Sequence, residues 1–287
     1  MGKAKDIVLK PISASEANAL VRRVHYSGKV VPNSQLHVGV FYHGGLEGAM
    51  QFGPSLDKRK IQGLVTGTRW HEFIELNRLA FTDALPRNSE SRALAVAMRL
   101  LRKHAPQLKW VVSFADATLC GDGTIYRASG FVLTGIKKND QIWEAPTGAR
   151  FSRTSLTDGR SKHQQRAAVR ISRVTATKAK NILDTGAASM QTFIDAGFEP
   201  LAGYQLRYIY FLDLSYRQRL TVPEIPYSKI WEVGAGMYRG EKCDEQRAGE
   251  AKTANAPGDQ PGNRGFESHP SALETEQPPQ PPPIGDG

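Results

Sequence analysis

Cysteine is nearly absent from this chain of 287 residues: there are two, Cys120 and Cys243, far apart and in no CxxC pair. That excludes a disulfide scaffold and a zinc-finger site, and it points to a reducing compartment. No stretch approaches the roughly 20 consecutive apolar residues that a membrane helix needs. Met1 to Lys10 alternates charged and apolar residues and holds no hydrophobic core of a signal peptide. Metalloprotease, P-loop and nucleophile-elbow spacings are missing as well. The expectation is a soluble protein of the cytoplasm with no membrane partner.

Acidic residues are scarce until the end. The last 47 residues hold nine Asp/Glu against four Lys/Arg, so the overall charge of +10 hides a surplus of +15 in the first 240. Such a surplus favours a polyanionic partner, nucleic acid above all, although a generic basic surface has the same composition. The same 47 residues carry eight of the 17 prolines and almost no large apolar side chains. Residues 241–287 therefore read as a disordered, Pro-rich acidic tail behind a folded unit spanning 1–240.

Within that unit the pattern is α/β (α+β). An edge strand at Ile7–Leu9 precedes a helix that Ser13 or Ser15 can cap, with Leu20, Val21 and Val24 on its apolar face and Gly28 at its stop. Leu36–Tyr42 and Leu46–Phe52 form a hairpin about His43-Gly44-Gly45. Asp57–Thr68 reads as loop and Phe73–Phe81 as a strand. A long helix follows, capped by Asn88 or Ser89, with Leu94, Ala97, Met98 and Leu101 at helical spacing and Pro106 beyond its end. Trp110–Phe114 is a buried strand, and a short helix carrying Tyr126 stops at Gly130. Residues 137–186 are polar and basic and read as an insertion of loops with one strand at Ala167–Val174. Ala187–Ala196 is a second short helix, and Tyr204–Leu212 a central strand. Pro223 and Pro226 then force an extended path back over the core.

Several residues could carry chemistry. Asp116 lies just past the Trp110 strand, where open sheets place their sites, and is either a turn cap or a site residue. Tyr126 is a core aromatic or an acid. His25 and Tyr26 close the first helix, and a lone histidine is more often structural than a base or ligand. Arg78 interrupts an apolar strand, and a buried guanidinium calls for an anionic partner. Arg87 to Arg92, with Ser89 and Ser91, could hold a phosphate at a helix N-terminus or form an ordinary cap. Arg166, Arg170 and Arg173 in the basic insertion are candidate DNA contacts, against the alternative of a solvated linker.

The element order resembles the GNAT fold of N-acyltransferases, a central mixed, mostly antiparallel sheet flanked by helices. In that family the loop before the long helix binds the pyrophosphate of coenzyme A, and a tyrosine on the next short helix protonates the departing thiolate. Arg87, Ser89, Ser91 and Arg92, and Tyr126, match those positions, but the Gly-rich loop of the family is missing. A more specific resemblance rests on HYSGKVVPNS (25–34), ELNRLAF (75–81), NSESRAL (88–94), VVSFADAT (111–118), GTIYRASGF (123–131), GYQLRYIYFLD (203–213) and the ending LTVPEIPYSKI…GAGMYRG (220–240). Together these resemble the phage Mom family of DNA-modification proteins, a divergent branch of that fold. The resemblance implies a phage or prophage enzyme, acting in the cytoplasm of the bacterial host, that converts adenine in double-stranded DNA to N6-carbamoylmethyladenine and so shields it from restriction. It places the functional positions on His25, Tyr26, Arg78, Ser91, Asp116 and Tyr126. It also implies iron, with His25, Tyr26 and Asp116 as candidate ligands. The acyl donor would be an acetyl-CoA-like thioester or an aminoacyl-tRNA. Two other readings fit parts of the pattern: an acetyltransferase acting with acetyl-CoA on a protein or small-molecule amine, and a DNA-binding protein without catalysis.

Overall fold

In a computed structural model of the chain, residues 3–118, 121–158, 162–171, 175–186, 188–238 and 241–242 are described. Strand β1 (Val8–Pro11) leads into helix α1 (Ala14–Val24), whose N-terminus is closed by a capping box between Ser13 and Glu16. Ala17 and Leu20 of α1 pack on Ala49 of the sheet. Strands β2 (Leu36–Tyr42) and β3 (Gly45–Gly53) form the expected hairpin, with His43 and Gly44 both at positive φ in its turn. The stretch 57–68 is not all loop. It contains α2 (Lys58–Gln62), capped by Asp57, in which Ile61 alone is buried. One buried residue in a turn and a half leaves no periodicity to read.

Strand β4 (Phe73–Phe81) is followed by α3 (Ser89–His104), which buries Ala93, Leu94, Ala97, Met98 and Leu101 on one stripe. Asn88 precedes it in the left-handed region (φ 68) and makes no side-chain cap bond, so neither reading of a side-chain cap holds. Then come β5 (Trp110–Asp116), the short α4 (Thr124–Ala128) and β6 (Val132–Asn139).

The next segment differs from the loops and single strand expected. Strands β7 (Ile142–Glu144) and β8 (Arg150–Ser152) and helices α5 (Arg153–Thr157), α6 (Lys162–Arg170), α7 (Ala176–Thr185) and α8 (Met190–Asp195) lead to β9 (Glu199–Pro200). They enclose a core of their own built on Trp143, Leu156, Ala168, Ile182, Phe193 and Phe198. The strand expected from Ala167 is helix as far as Arg170, and residues 172–174 lie outside the described ones. A buried glutamine helps hold α6, beside Ala168 in that core. Gln165 is buried and donates its amide to the carbonyls of Leu156, Asp158 and Gly186 at 3.0, 3.3 and 3.1 Å. The two N–H bonds of that amide are shared among the three main-chain acceptors.

Strand β10 (Gly203–Phe211) returns to the main sheet, followed by α9 (Ser228–Glu232) and the pair β11 (Met237–Tyr238) and β12 (Glu241–Lys242). The path through Pro223 and Pro226 does wrap back, for Ile225 N–H and Tyr227 O–H both bond carbonyls at the start of β6. Apart from Glu241 and Lys242, the expected tail lies outside the described residues, as do Cys120 and Cys243. Among the described residues no helix is long and apolar enough to cross a membrane.

The main sheet has seven strands in the order β1-β2-β3-β4-β5-β10-β6. Every neighbour is antiparallel except β4 and β5, which run parallel. This is the mixed, mostly antiparallel layout that the GNAT resemblance implies. One face packs on α3 through Met98, Leu101, Val111 and Leu206. The other covers Trp110, Val112 and Ile209 with α2 and the following loop. There Trp110 stacks on Phe73 (4.6 Å, 8°), and its indole N–H reaches Thr68 Oγ1 at 3.1 Å.

Candidate active site

The parallel contact between β4 and β5 is brief. It pairs Phe73 with Trp110 through Leu76 with Ser113 and then stops, although β4 runs on to Phe81 and β5 to Asp116. Beyond Leu76 and Ser113 the strands part. β4 stays with β3, Arg78 opposite Gln51, and β5 stays with β10, Phe114 opposite Arg207. Parting strands leave main-chain groups without a ladder partner, and those groups need another one.

At the base of this fork Ser113, fully buried, has its hydroxyl 3.2 Å from the Leu76 carbonyl and 3.0 Å from the Tyr126 hydroxyl. Tyr126 is 8 % exposed, stacked on Tyr208 (5.0 Å, 22°) and edge-on to Phe131 (5.4 Å, 64°). It is thus both a core aromatic and a phenol aimed at the fork. The loop that places it is tightly built. Gly123 has φ +71, and a Cβ there would run into the Tyr208 ring. Tyr208 in turn donates to the Asp122 carbonyl, and burial raises its own ionisation far above the ordinary tyrosine value.

Past the fork on β5, Asp116 Oδ1 accepts from Thr118 N–H at 2.9 Å, the turn-capping role allowed for it. Past the fork on β4 stands Arg78. Its Nε donates to the Lys29 carbonyl (2.8 Å) and its Nη1 to the Asn77 carbonyl (2.7 Å). These are main-chain acceptors, so among the described residues the anionic partner expected for a buried guanidinium is not in direct contact. Burial weakens the guanidinium's hold on its proton, while the nearby Tyr26 and Glu75 support its charge.

His25 and Tyr26 arrive at the same place from the end of α1. His25 N–H bonds the Val21 carbonyl, and Gly28 at φ +58 turns the chain away. The imidazole Nδ1 accepts from Ser27 N–H (3.2 Å) and lies 2.9 Å from Ser27 Oγ. A main-chain N–H can only donate, so Nδ1 is the acceptor and Nε2 carries the proton of the neutral ring. Burial, with the Arg78 charge adding to it, pushes the imidazole down from 6.5 to about 3. In that state His25 is a weak proton acceptor near neutral pH, and what it offers is an Nε2–H donor. Its ring lies 4.3 Å from that of Tyr26, which is 43 % exposed.

The same geometry tests the iron expectation. One nitrogen of His25 is taken by Ser27 and the other bears the proton, a guanidinium stands beside the ring, and Asp116 Oδ1 holds its own turn. No group of three or more His, Cys, Asp or Glu among the described residues is placed to hold a metal ion. The described residues give the iron expectation no support.

The remaining candidates lie farther out. Arg87, Asn88 and Arg92 are exposed at the start of α3, and Ser91 Oγ bonds back to the Asn88 carbonyl (3.3 Å). Ser89 is 1 % exposed, its hydroxyl turned into the protein. Glu90 shares this end with Asp83. Desolvation, and then the Asp83 charge, raise the Glu90 carboxyl above the usual range. Two carboxylates at a helix N-terminus oppose a phosphate there. Arg166 and Arg170 are exposed on α6, one helical turn apart, and Arg173 lies outside the described residues.

Lys29 is the residue that reading the sequence missed. Its ammonium group contacts Ser152 Oγ (3.1 Å) and Ser155 Oγ, which are 123 and 126 residues away along the chain. Its place within HYSGKVVPNS (25–34) was the one sign of it in the sequence.

Comparison with known proteins matches residues 6–229 to the Mom protein family. The methylcarbamoylase Mom of Escherichia phage Mu is 38% identical over 132 residues, covering 46% of this chain and 55% of that protein. The match thus spans about half the length of the relative. Among solved structures, a GNAT family acetyltransferase from Elizabethkingia anophelis with acetyl-CoA bound is similar at 16% identity. It covers 47% of this chain and 81% of its own, with a TM-score of 0.35. The ribosomal-protein-S18-alanine N-acetyltransferase of Escherichia coli reaches 13% identity over 50% and 88%, with a TM-score of 0.35. Likeness at that level is too weak to assign a ligand.

Proposed function

The chain belongs to the Mom protein family, and from that premise we propose that it is a transferase that converts adenine in double-stranded DNA to N6-carbamoylmethyladenine, protecting a phage genome from restriction. The observation that carries the reading is the fork: Arg78 and the His25 Nε2–H on one side, Asp116 and the Tyr126 phenol on the other.

The N6 amine of adenine is a weak nucleophile, because its lone pair is delocalised into the ring. A catalyst must hold it against an activated carbonyl and remove a proton as the bond forms. The fork admits an acyl donor, a coenzyme A-type thioester or the ester of an aminoacyl-tRNA. Arg78 and His25 N–H face the charge that develops on the carbonyl oxygen. Asp116 accepts a hydrogen bond from the amine and orients it. Tyr126 gives its proton to the departing sulfur or oxygen. If the unit carried is glycyl, its amine then attacks C6 of the ring and the C6–N6 bond breaks, leaving NH–CH2–CONH2 on the ring with every atom accounted for. Reaching N6 requires the base to leave the duplex stack. The exposed Arg166 and Arg170 of α6 suit the phosphates of that duplex.

Nucleoside mass spectrometry of DNA from cells expressing the protein tests this. The wild-type chain should yield the carbamoylmethyl adduct, and Tyr126→Phe should lower it by about 100-fold or more, the usual worth of a general acid. Unmodified DNA alongside acetyl transfer to a protein or small amine would replace this reading with an acetyltransferase. Duplex binding with no transfer of either kind would leave a binding protein.

A further inference from the structure

Leu206 and Tyr208 of β10 pack in the core with Tyr126 and α3, so Arg207 between them points from the opposite face of the sheet. Val111 and Ala115 of β5 share that core, which turns Phe114 and Asp116 to the same face as Arg207. Arg207 stands directly opposite Phe114 and diagonal to Asp116, at positions about 7–8 Å apart. Its guanidinium is seated over β6. Nε donates to the hydroxyl of buried Thr134 (3.1 Å) and Nη2 to the Thr134 carbonyl (2.7 Å). Gly135 makes the room, because a Cβ there would stand 3.2, 3.3 and 3.4 Å from Nη2, Cζ and Nε. These bonds use the edge that carries the Nε proton. The other edge, Nη1 with the second Nη2 proton, has no acceptor among the described residues. The side chain is half-buried, and Nη1 is not sealed from solvent.

We propose that Arg207 is a phosphate-binding residue, whose free edge takes a phosphodiester group of the DNA strand that presents the adenine to Asp116. This deepens the function proposed above and rests on it. A half-buried cation has given up hydration that no described carboxylate restores. Burial accordingly weakens the guanidinium's hold on its proton. An anion at the free edge repays that loss, and two coplanar N–H bonds match two oxygens of one phosphate. The two faces of the sheet assign the phosphate to the DNA rather than to the donor. Tyr126, the acid for the donor's leaving group, lies with α3 on one face, so the carrier departs there. Asp116 and Arg207 lie on the other, where the amine arrives. A flipped nucleotide then has its base edge at Asp116 and its phosphate at Arg207, a separation that a single nucleotide spans.

The test is Arg207→Gln, measured against wild type on a duplex in which one adenine faces an abasic site and is already unpaired. Affinity should fall about 10-fold or more, the worth of a charge-assisted pair. The slope of log K against log salt should shrink by about 1, with melting retained. Coenzyme A, titrated as a second probe, should behave alike with both proteins. Unchanged affinity and slope overturn the proposal. A lower melting temperature with the slope unchanged also overturns it, and makes Arg207 a fastener of β6. Coenzyme A binding lost while DNA binding is kept overturns it too, and places the donor's phosphate at this edge. If the variant does not fold, labelling of wild-type arginines by p-hydroxyphenylglyoxal decides. The duplex should shield Arg207 from the reagent, and equal labelling with and without it overturns the proposal. Absence of adenine adduct from cells expressing the wild type brings down the function proposed above, a result distinct from each of these.

Discussion

The His25 imidazole gives a prediction with a sign that can be worked out. Its folded value is about 3, against 6.5 for an open histidine. Between those values the unfolded chain binds the proton and the folded one does not, so stability rises with pH across the interval. The contribution is complete above the unfolded value and is lost as pH falls towards the folded one. At about 1.4 kcal/mol per unit the whole span is worth about 5 kcal/mol. Part of the ring stays open to solvent, so the loss expected between about pH 7.5 and about pH 5 is about 1–2 kcal/mol. Urea denaturation of wild type and His25→Gln at the two pH values isolates this term. Glutamine can still accept Ser27 N–H but cannot titrate. The raised carboxyls of Glu75 and Glu90 act in both proteins and cancel in the difference. Wild type should lose about 1–2 kcal/mol more than the variant on acidification. Parallel loss in the two would mean that His25 titrates as an open histidine, and the neutral Nε2–H donor would have to be abandoned.

Two further changes probe parts of the site that hold no reacting group. A Cβ on Gly203, the first residue of β10, would fall on the side chain of buried Thr118, whose N–H holds Asp116. Gly203→Ala should therefore cost about 1–3 kcal/mol by chemical denaturation, and it should lower the adenine adduct in cells as Asp116 is displaced. A variant as stable and active as wild type would show that Thr118 does not position Asp116. Replacing Arg166 and Arg170 by Gln should weaken duplex binding equally across sequences and cut the slope of log K against log salt by about 2. An unchanged slope would remove α6 from the DNA surface.

Much of the sheet was legible because its strands and its long helix are periodic. Leu94, Ala97, Met98 and Leu101 mark the face of α3, and Trp110 to Phe114 is too short and too apolar for anything but a buried strand. The segment after β6 was illegible for an equally physical reason. Its longest described helices, α6 and α7, are mostly polar, and α6 brings little more than Ala168 and Val169 to the core, with the amide of Gln165 beside them. No hydrophobic pattern announces a hydrogen-bond clasp. At the site, residue types hinted at Arg78, Asp116 and Tyr126. The base strength of His25 could not be read without the burial that sets it, and Lys29 could not be singled out without partners more than 120 residues away.

That long-range contact also bears on how the fork is held open. The sheet consists of two sets of strands joined through four residue pairs of β4 and β5. The set on the β4 side brings Lys29 and Arg78, with His25 at the end of α1; the set on the β5 side brings Asp116 and Tyr126. Short parallel pairing is a weak joint, and small rotations about it would change the distance between the two groups of residues. The segment between β6 and β10 is covalently part of the β5 side, yet Ser152 and Ser155 fasten it to Lys29 on the β4 side. It therefore braces the fork from outside the sheet. Ser155→Ala removes one of the two contacts of the brace without touching a strand, so it should lower adduct formation while leaving the sheet's stability nearly intact; loss of stability equal to that of a core substitution would place Ser155 in the packing instead.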